Sequence, residues 1–107
     1  MMIKIPLKSV PNQRFKVVLD GQNCEIHLYY RFGTMYMDLV CNNNVIQTGA
    51  VCRNRAGVIQ AETNLFSGNL HFIDLLGETD PNYKGFADRY SLLYVAGDEV
   101  TPKGLRY

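Results

Sequence analysis

The stretch from Asp20 to Asn44 restricts the possible folds more than any other part of the chain. From Cys24 to Phe32 apolar and polar residues alternate without a break. Cys24, Ile26, Leu28, Tyr30 and Phe32 fall on one face, and Glu25, His27, Tyr29 and Arg31 on the other. A period of two sends successive side chains to opposite faces of a strand, so this segment reads as a strand with one buried face. Turn signals bound it on both sides. Asp20-Gly21 comes before it, and both residues accept positive φ, as a tight hairpin requires. Gly33-Thr34 follows as a second turn. Met35, Met37, Leu39 and Cys41 then line one face of the next strand, with Tyr36, Asp38 and Val40 opposite. Asn42-Asn43-Asn44 makes a third turn, because asparagine readily takes the left-handed conformation. Three turns in succession define an antiparallel meander.

The flanking segments extend the same architecture. Phe15, Val17 and Leu19 share one face of a half-buried strand over Arg14 to Leu19. Val45 to Cys52 begins a fourth strand of the meander, with Gly49 as a bulge or point of close approach. Met2 to Ile5 reads as a short edge strand ended by Pro6. Further on, Leu70 to Leu76 and Ser91 to Ala96 are apolar at nearly every position, which predicts two strands inside the core rather than at its edge. The polar loop between them contains Thr79-Asp80-Pro81-Asn82, a turn sequence, and Tyr83, Phe86 and Tyr90 are spaced as one short helical face. Asp74, in a strand that looks buried, is expected to cap a turn or to pair with Arg89. Residues 53–64 lack helix caps and include Gly57, so they are read as a loop with at most one helical turn. About seven short strands with almost no helix predict an all-β chain, either a small antiparallel barrel or a two-sheet sandwich. Residues 1–107 are expected to form one domain, with 101–107 a flexible tail.

Totals narrow the function. A chain of 107 residues that is 47% hydrophobic can fill a core. A formal net charge of +1 argues against a dedicated nucleic-acid or anionic-membrane binder. The charge is nonetheless polarised: residues 1–55 carry seven basic against three acidic residues, and residues 56–107 carry four against seven. Cys24, Cys41 and Cys52 are odd in number and lack a C-x-x-C pair. They do not suggest a disulfide scaffold, so a chain kept in a reducing cytoplasm is expected, with Cys24 and Cys41 as core residues. The opening MMIKIPLKSV is too short an apolar run for a signal peptide, and no apolar run reaches membrane-spanning length.

Catalytic chemistry finds no foothold. Cys24 and His27 are three apart on a strand, hence on opposite faces, and cannot chelate one ion; His71 has no ligand-type neighbour at chelating spacing. There is no nucleophile elbow and no phosphate-cradling glycine loop; Asp74, Asp80 and Asp88 could in principle supply paired carboxylates, but Asp74 in its buried-looking strand is better read as a cap or a partner of Arg89. No catalytic residue, metal site or cofactor is therefore assigned. The outward stripe of His27, Tyr29 and Arg31, with Tyr36 on the next strand, has two readings. Tyr29, Arg31 and Tyr36 could stack single-stranded nucleic acid on a small barrel. The same residue types also favour a protein interface, and seven tyrosines in so short a chain fit that reading better.

Short motifs in a fixed order carry a resemblance. They are Ile5-Pro6-Leu7, Pro11-Asn12-Gln13-Arg14-Phe15, Leu19-Asp20-Gly21, Tyr30-Arg31, Met35-Tyr36-Met37-Asp38-Leu39 and Ile46 to Gly49. Ser67-Gly68-Asn69-Leu70 through Asp74, Asp80-Pro81-Asn82-Tyr83 and Leu92-Leu93-Tyr94-Val95 complete the series. Together they resemble the small baseplate plug proteins of contractile-tailed phages and prophages, a family described from a cyanophage. Two positions depart from that pattern: Met35 stands where a tryptophan is usual, and Ala87 lies where a glycine is usual nearby. The resemblance implies a virion structural protein without a catalytic centre or cofactor, lodged in the channel of the tail baseplate after assembly in the host cytoplasm. Its implied partners are the baseplate hub and tail-tube proteins, with self-association also open; the near-neutral charge speaks against a membrane or nucleic-acid partner. The candidate contact residues are Asn12, Gln13, Arg14, Asp80, Tyr83 and Arg89. Ordinary turn and cap chemistry is the alternative for each, and the favoured one for Asp80-Pro81.

Overall fold

The computed structural model describes residues 2–59 and 65–96. Its strands are β1 (Met2–Ile5), β2 (Asn12–Leu19), β3 (Gln22–Arg31), β4 (Thr34–Cys41), β5 (Asn44–Val51), β6 (Asn69–Asp74) and β7 (Tyr90–Val95). A single 3-10 turn spans Tyr83–Gly85. The strands form two antiparallel sheets, one in the order β2-β3-β4-β5 and the other β1-β7-β6. Of the two predicted architectures the two-sheet one is realised. The predicted 101–107 tail and residues 60–64 of the predicted loop lie outside the described residues.

The meander is closed by three two-residue turns of one kind. Asp20 and Gly21 have φ of +54° and +66°, Phe32 and Gly33 +48° and +83°, and Asn42 and Asn43 +49° and +66°. Left-handed conformation at both central residues gives the turn whose twist matches that of the flanking strands. The second turn is thus Phe32-Gly33, not Gly33-Thr34. Arg31 pairs with Thr34, which leaves Phe32 as the first turn residue and removes it from the buried face expected for it. Phe32 is 100% exposed, and Tyr30, on the same predicted face, is 38% exposed. The buried stripe of β3 ends at Leu28.

The core lies between the sheets. Ile26 and Leu28 of β3 and Met37 and Leu39 of β4 share one buried cluster with Leu70 and Phe72 of β6 and Leu92 of β7. Each such side chain contributes about 1.5–3 kcal/mol relative to leaving it exposed. Cys24 and Cys41 sit opposite each other in the β3–β4 register, both buried, and are joined by a disulfide. They are core residues as expected, but the bond departs from the expectation of a fully reduced chain, since only the register of the pairing brings them face to face. Cys52 is free and buried, and burial pushes its thiol well above the ordinary range, which keeps it unreactive. The predicted irregularity at Gly49 is present: the β4–β5 register shifts, and Gly49 takes a φ of +60°.

β7 is central in its sheet, as its apolar sequence requires, whereas β6 is an edge strand. Its free edge is covered by the chain after β5. Arg55 N–H donates to the Phe72 carbonyl at 2.7 Å and Val58 N–H to that of Leu70 at 2.8 Å. The Asn69 carboxamide accepts from Ile59 N–H and donates to the Ile59 carbonyl, extending this pairing through a side chain. Over 53–59 the predicted loop is therefore a strap along a sheet edge, with the backbone groups of β6 satisfied. β6 stops at Asp74, short of the predicted Leu76; Leu75 and Leu76 are 56% and 73% exposed.

Gly68 opens β6 where no side chain fits. Its φ is +97°, and an added Cβ would collide with the Val95 carbonyl oxygen and the Tyr94 ring. Replacement Gly68→Ala should lower the melting temperature by about 10 °C or prevent folding. Gly21→Asn, at a φ of +66° with open space around it, should be nearly neutral. Thermal unfolding of the two variants beside the parent checks both outcomes.

Candidate interaction surface

With its inner face consumed by the core, the four-stranded sheet presents its outer face to solvent. β2 and β3 bring Arg14 opposite His27, and β3 and β4 bring His27 opposite Asp38 and Tyr29 opposite Tyr36. These residues form a continuous polar and aromatic network. Asp38 Oδ1 accepts from the Gly49 N–H at 2.7 Å and from the Tyr29 hydroxyl at 3.1 Å. The carboxylate thereby satisfies the backbone of the β5 bulge. Burial, and then the hydrogen bond to Asp38, push the Tyr29 phenol above its ordinary pKa. His27 Nδ1 lies 3.4 Å from Arg14 Nη2, and His27 Nε2 lies 3.0 Å from Asn12 Oδ1. Tyr29 and Tyr36 stack at 5.7 Å, and the Arg31 guanidinium lies 5.7 Å above the Tyr29 ring.

A second cluster orders the loop between β6 and β7. The buried Asp74 carboxylate receives Arg89 through two bonds of 2.8 Å, together with the N–H groups of Leu76 and Thr79 and the Thr79 hydroxyl. Arg89 above all holds the Asp74 carboxyl far below the usual carboxylate range, helped by the Thr79 and Leu76 bonds. Thr79 is in turn 2.8 Å from the Tyr90 hydroxyl. Asp80 reaches the strap: it accepts from Asn54 N–H at 2.9 Å and lies 3.6 Å from Arg53. Asn82 caps the 3-10 turn by accepting from Lys84 N–H. Tyr83 packs edge-on against Tyr30 at 5.2 Å, tying this loop to the end of the meander.

The six candidate contact residues therefore fall into two groups. Asn12 and Arg14 stand on the outer face of the four-stranded sheet, at its β2 edge. Gln13, between them, donates its amide to the Lys8 carbonyl at 2.7 Å and holds the β1–β2 connector. Asp80, Tyr83 and Arg89 belong to the β6–β7 loop, where each has an intramolecular partner. Sequence reasoning foresaw the Asp74–Arg89 pair but gave no hint that Asp38 organises the outer face. Among the described residues no group of three or more His, Cys, Asp or Glu is placed to hold a metal ion, and none of their helices is long and apolar enough to cross a membrane.

The described residues form a two-sheet β fold whose polar side chains knit its own loops and whose outer face is a network of tyrosines and charges. The comparison with protein families is specific. The model described as cyanophage baseplate Pam3 plug gp18 matches residues 2–98, and the chain belongs to this family of phage baseplate structural proteins. No curated protein matches it.

Asp74 offers a test of the loop. Its carboxyl is depressed in the folded state, so the stability it contributes is present above the unfolded pKa of about 3.9 and is lost as pH falls below that value. The parent should lose stability steeply below about pH 4. Asp74→Asn should melt about 10 °C lower near neutral pH and lose much of that acid dependence. Thermal melts between pH 2 and pH 7, ranges in which other carboxylates also titrate, check the difference between the two proteins.

Proposed function

We propose that this chain is a non-enzymatic structural component of a phage or prophage tail baseplate. It would plug the central channel through contacts with the hub and tail-tube proteins, after folding in the host cytoplasm. The family match over residues 2–98, which spans all seven strands, carries this reading. The architecture supports it in physical terms. A plug works by occlusion and packing, so it needs loops that keep their shape under contact, and here Asp74, Asp80 and Asn69 anchor the long connections. It must also leave when the tail fires, which suits an interface of moderate size with a polar rim. The outer face around Arg14, His27 and Tyr36 has that character.

The alternative reading, a barrel that binds single-stranded nucleic acid through Tyr29, Arg31 and Tyr36, is less well supported. Tyr29 and Tyr36 stack on each other and Arg31 covers Tyr29, so these π-faces are already engaged.

Co-expression with the hub protein and with the tail-tube protein tests the proposal. A complex of defined stoichiometry with at least one of them is expected on size exclusion with light scattering. A well-folded chain that elutes alone in the presence of both would contradict it. A titration with a short labelled oligonucleotide at low salt should show no salt-sensitive binding, which the alternative demands.

A further inference from the structure

Phe32 is held in an arrangement that the fold does not need. It is the most exposed large apolar residue of the described chain, at 100%. It also adopts a φ of +48° at the first position of its turn, a conformation unfavourable for a bulky side chain. The two sister turns of the same sheet put Asp20 and Asn42 at this position, the residue types that tolerate it. An asparagine here would relieve both burdens. Phe32 makes no ring contact among the described residues, and the turn is rigid because Arg31 and Thr34 pair directly behind it.

The surroundings extend the feature. Tyr30, 38% exposed, braces the same end of β3 against Tyr83, and its N–H donates to the Pro11 carbonyl, which brings up Val10, 37% exposed. The charged residues nearest the tip are basic: Arg31 beside it, and Lys8 on the connector close to Val10, whereas Arg14 and Lys16 lie further along β2 and face Glu25. A preorganised aromatic with a basic surround is the form of an interface hot spot, because little entropy is lost on docking it.

We propose that the Phe32-Gly33 turn is the anchor by which this chain holds its neighbour. Phe32 would insert into an apolar pocket rimmed by carboxylates on another baseplate protein. This inference rests on the proposed baseplate role and deepens it. A lipid bilayer fits the tip poorly, since one phenyl ring on a nearly neutral chain gives too little membrane affinity.

The test compares the parent with Phe32→Asn and Phe32→Ala. Affinity for the purified hub and tail-tube proteins is measured by titration calorimetry, and stability by thermal melting. Phe32→Asn should weaken binding by about thirtyfold or more. The same variant should melt about 4 °C higher, because asparagine suits the turn. Phe32→Ala should weaken binding to the same degree. Parent-like affinity in both variants overturns the anchor while leaving the baseplate role intact. A parent that binds neither protein overturns the baseplate role and the anchor with it. Phe32-dependent self-association, or Phe32-dependent sedimentation with anionic phosphatidylserine vesicles, would also overturn the proposal by naming a different occupant.

Discussion

The fold depends on burying one face of each sheet against the other. Ile26, Leu28, Met37 and Leu39 can leave water together only if β3 and β4 pair in a single register, because a slip of one residue would turn that set outward. Their cover is the β6–β7 face carrying Leu70, Phe72 and Leu92. Once that interface closes, the positions of the turns, the strap and the outer stripe follow. The disulfide between Cys24 and Cys41 is one consequence, since the register that fills the core also sets the two thiols opposite each other.

Polar side chains then do for the connections what the core does for the sheets. Asp38 satisfies the N–H exposed by the β5 bulge, Asp74 gathers the loop after β6, and Asp80 and Asn69 hold the strap that seals the β6 edge. Each accepts a hydrogen bond from a backbone N–H, within one loop for Asp74 and between separate elements for the other three, and leaving such a group unpaired inside the protein would be costly. This division of labour bears on function. Residues tied into the fold, such as Arg89 and Asp80, give the surface its shape, whereas Phe32 at the hairpin tip is fully exposed.

Legibility in the sequence followed the range of the interaction. Asp20-Gly21 and Asn42-Asn43 announced their turns because the required φ is a property of the residues themselves. The alternation through β3 and β4 announced their buried faces. It failed at Phe32, where the pattern ran one residue too far, since apolar character alone does not distinguish the last strand position from the first turn position. Tyr30 and Phe32 would have been read correctly only by requiring two residues between the strands. The strap over β6, the Asp80–Asn54 bond and the role of Asp38 depend on contacts between separate elements, for which a single sequence carries no local signal. Five of the six candidate contact residues came from family motifs, and Arg89 from the segment between two of them. The geometry shows what each one touches in this chain and adds Phe32, which no motif had singled out.

Cryo-electron microscopy of the phage particle, before and after tail contraction, tests the central claim most directly. In the resting particle the chain should appear as density inside the baseplate channel, against the hub or the tail tube, and that density should be missing from contracted tails. Density on the outer surface of the baseplate, or a channel occupied identically in both states, would contradict the account.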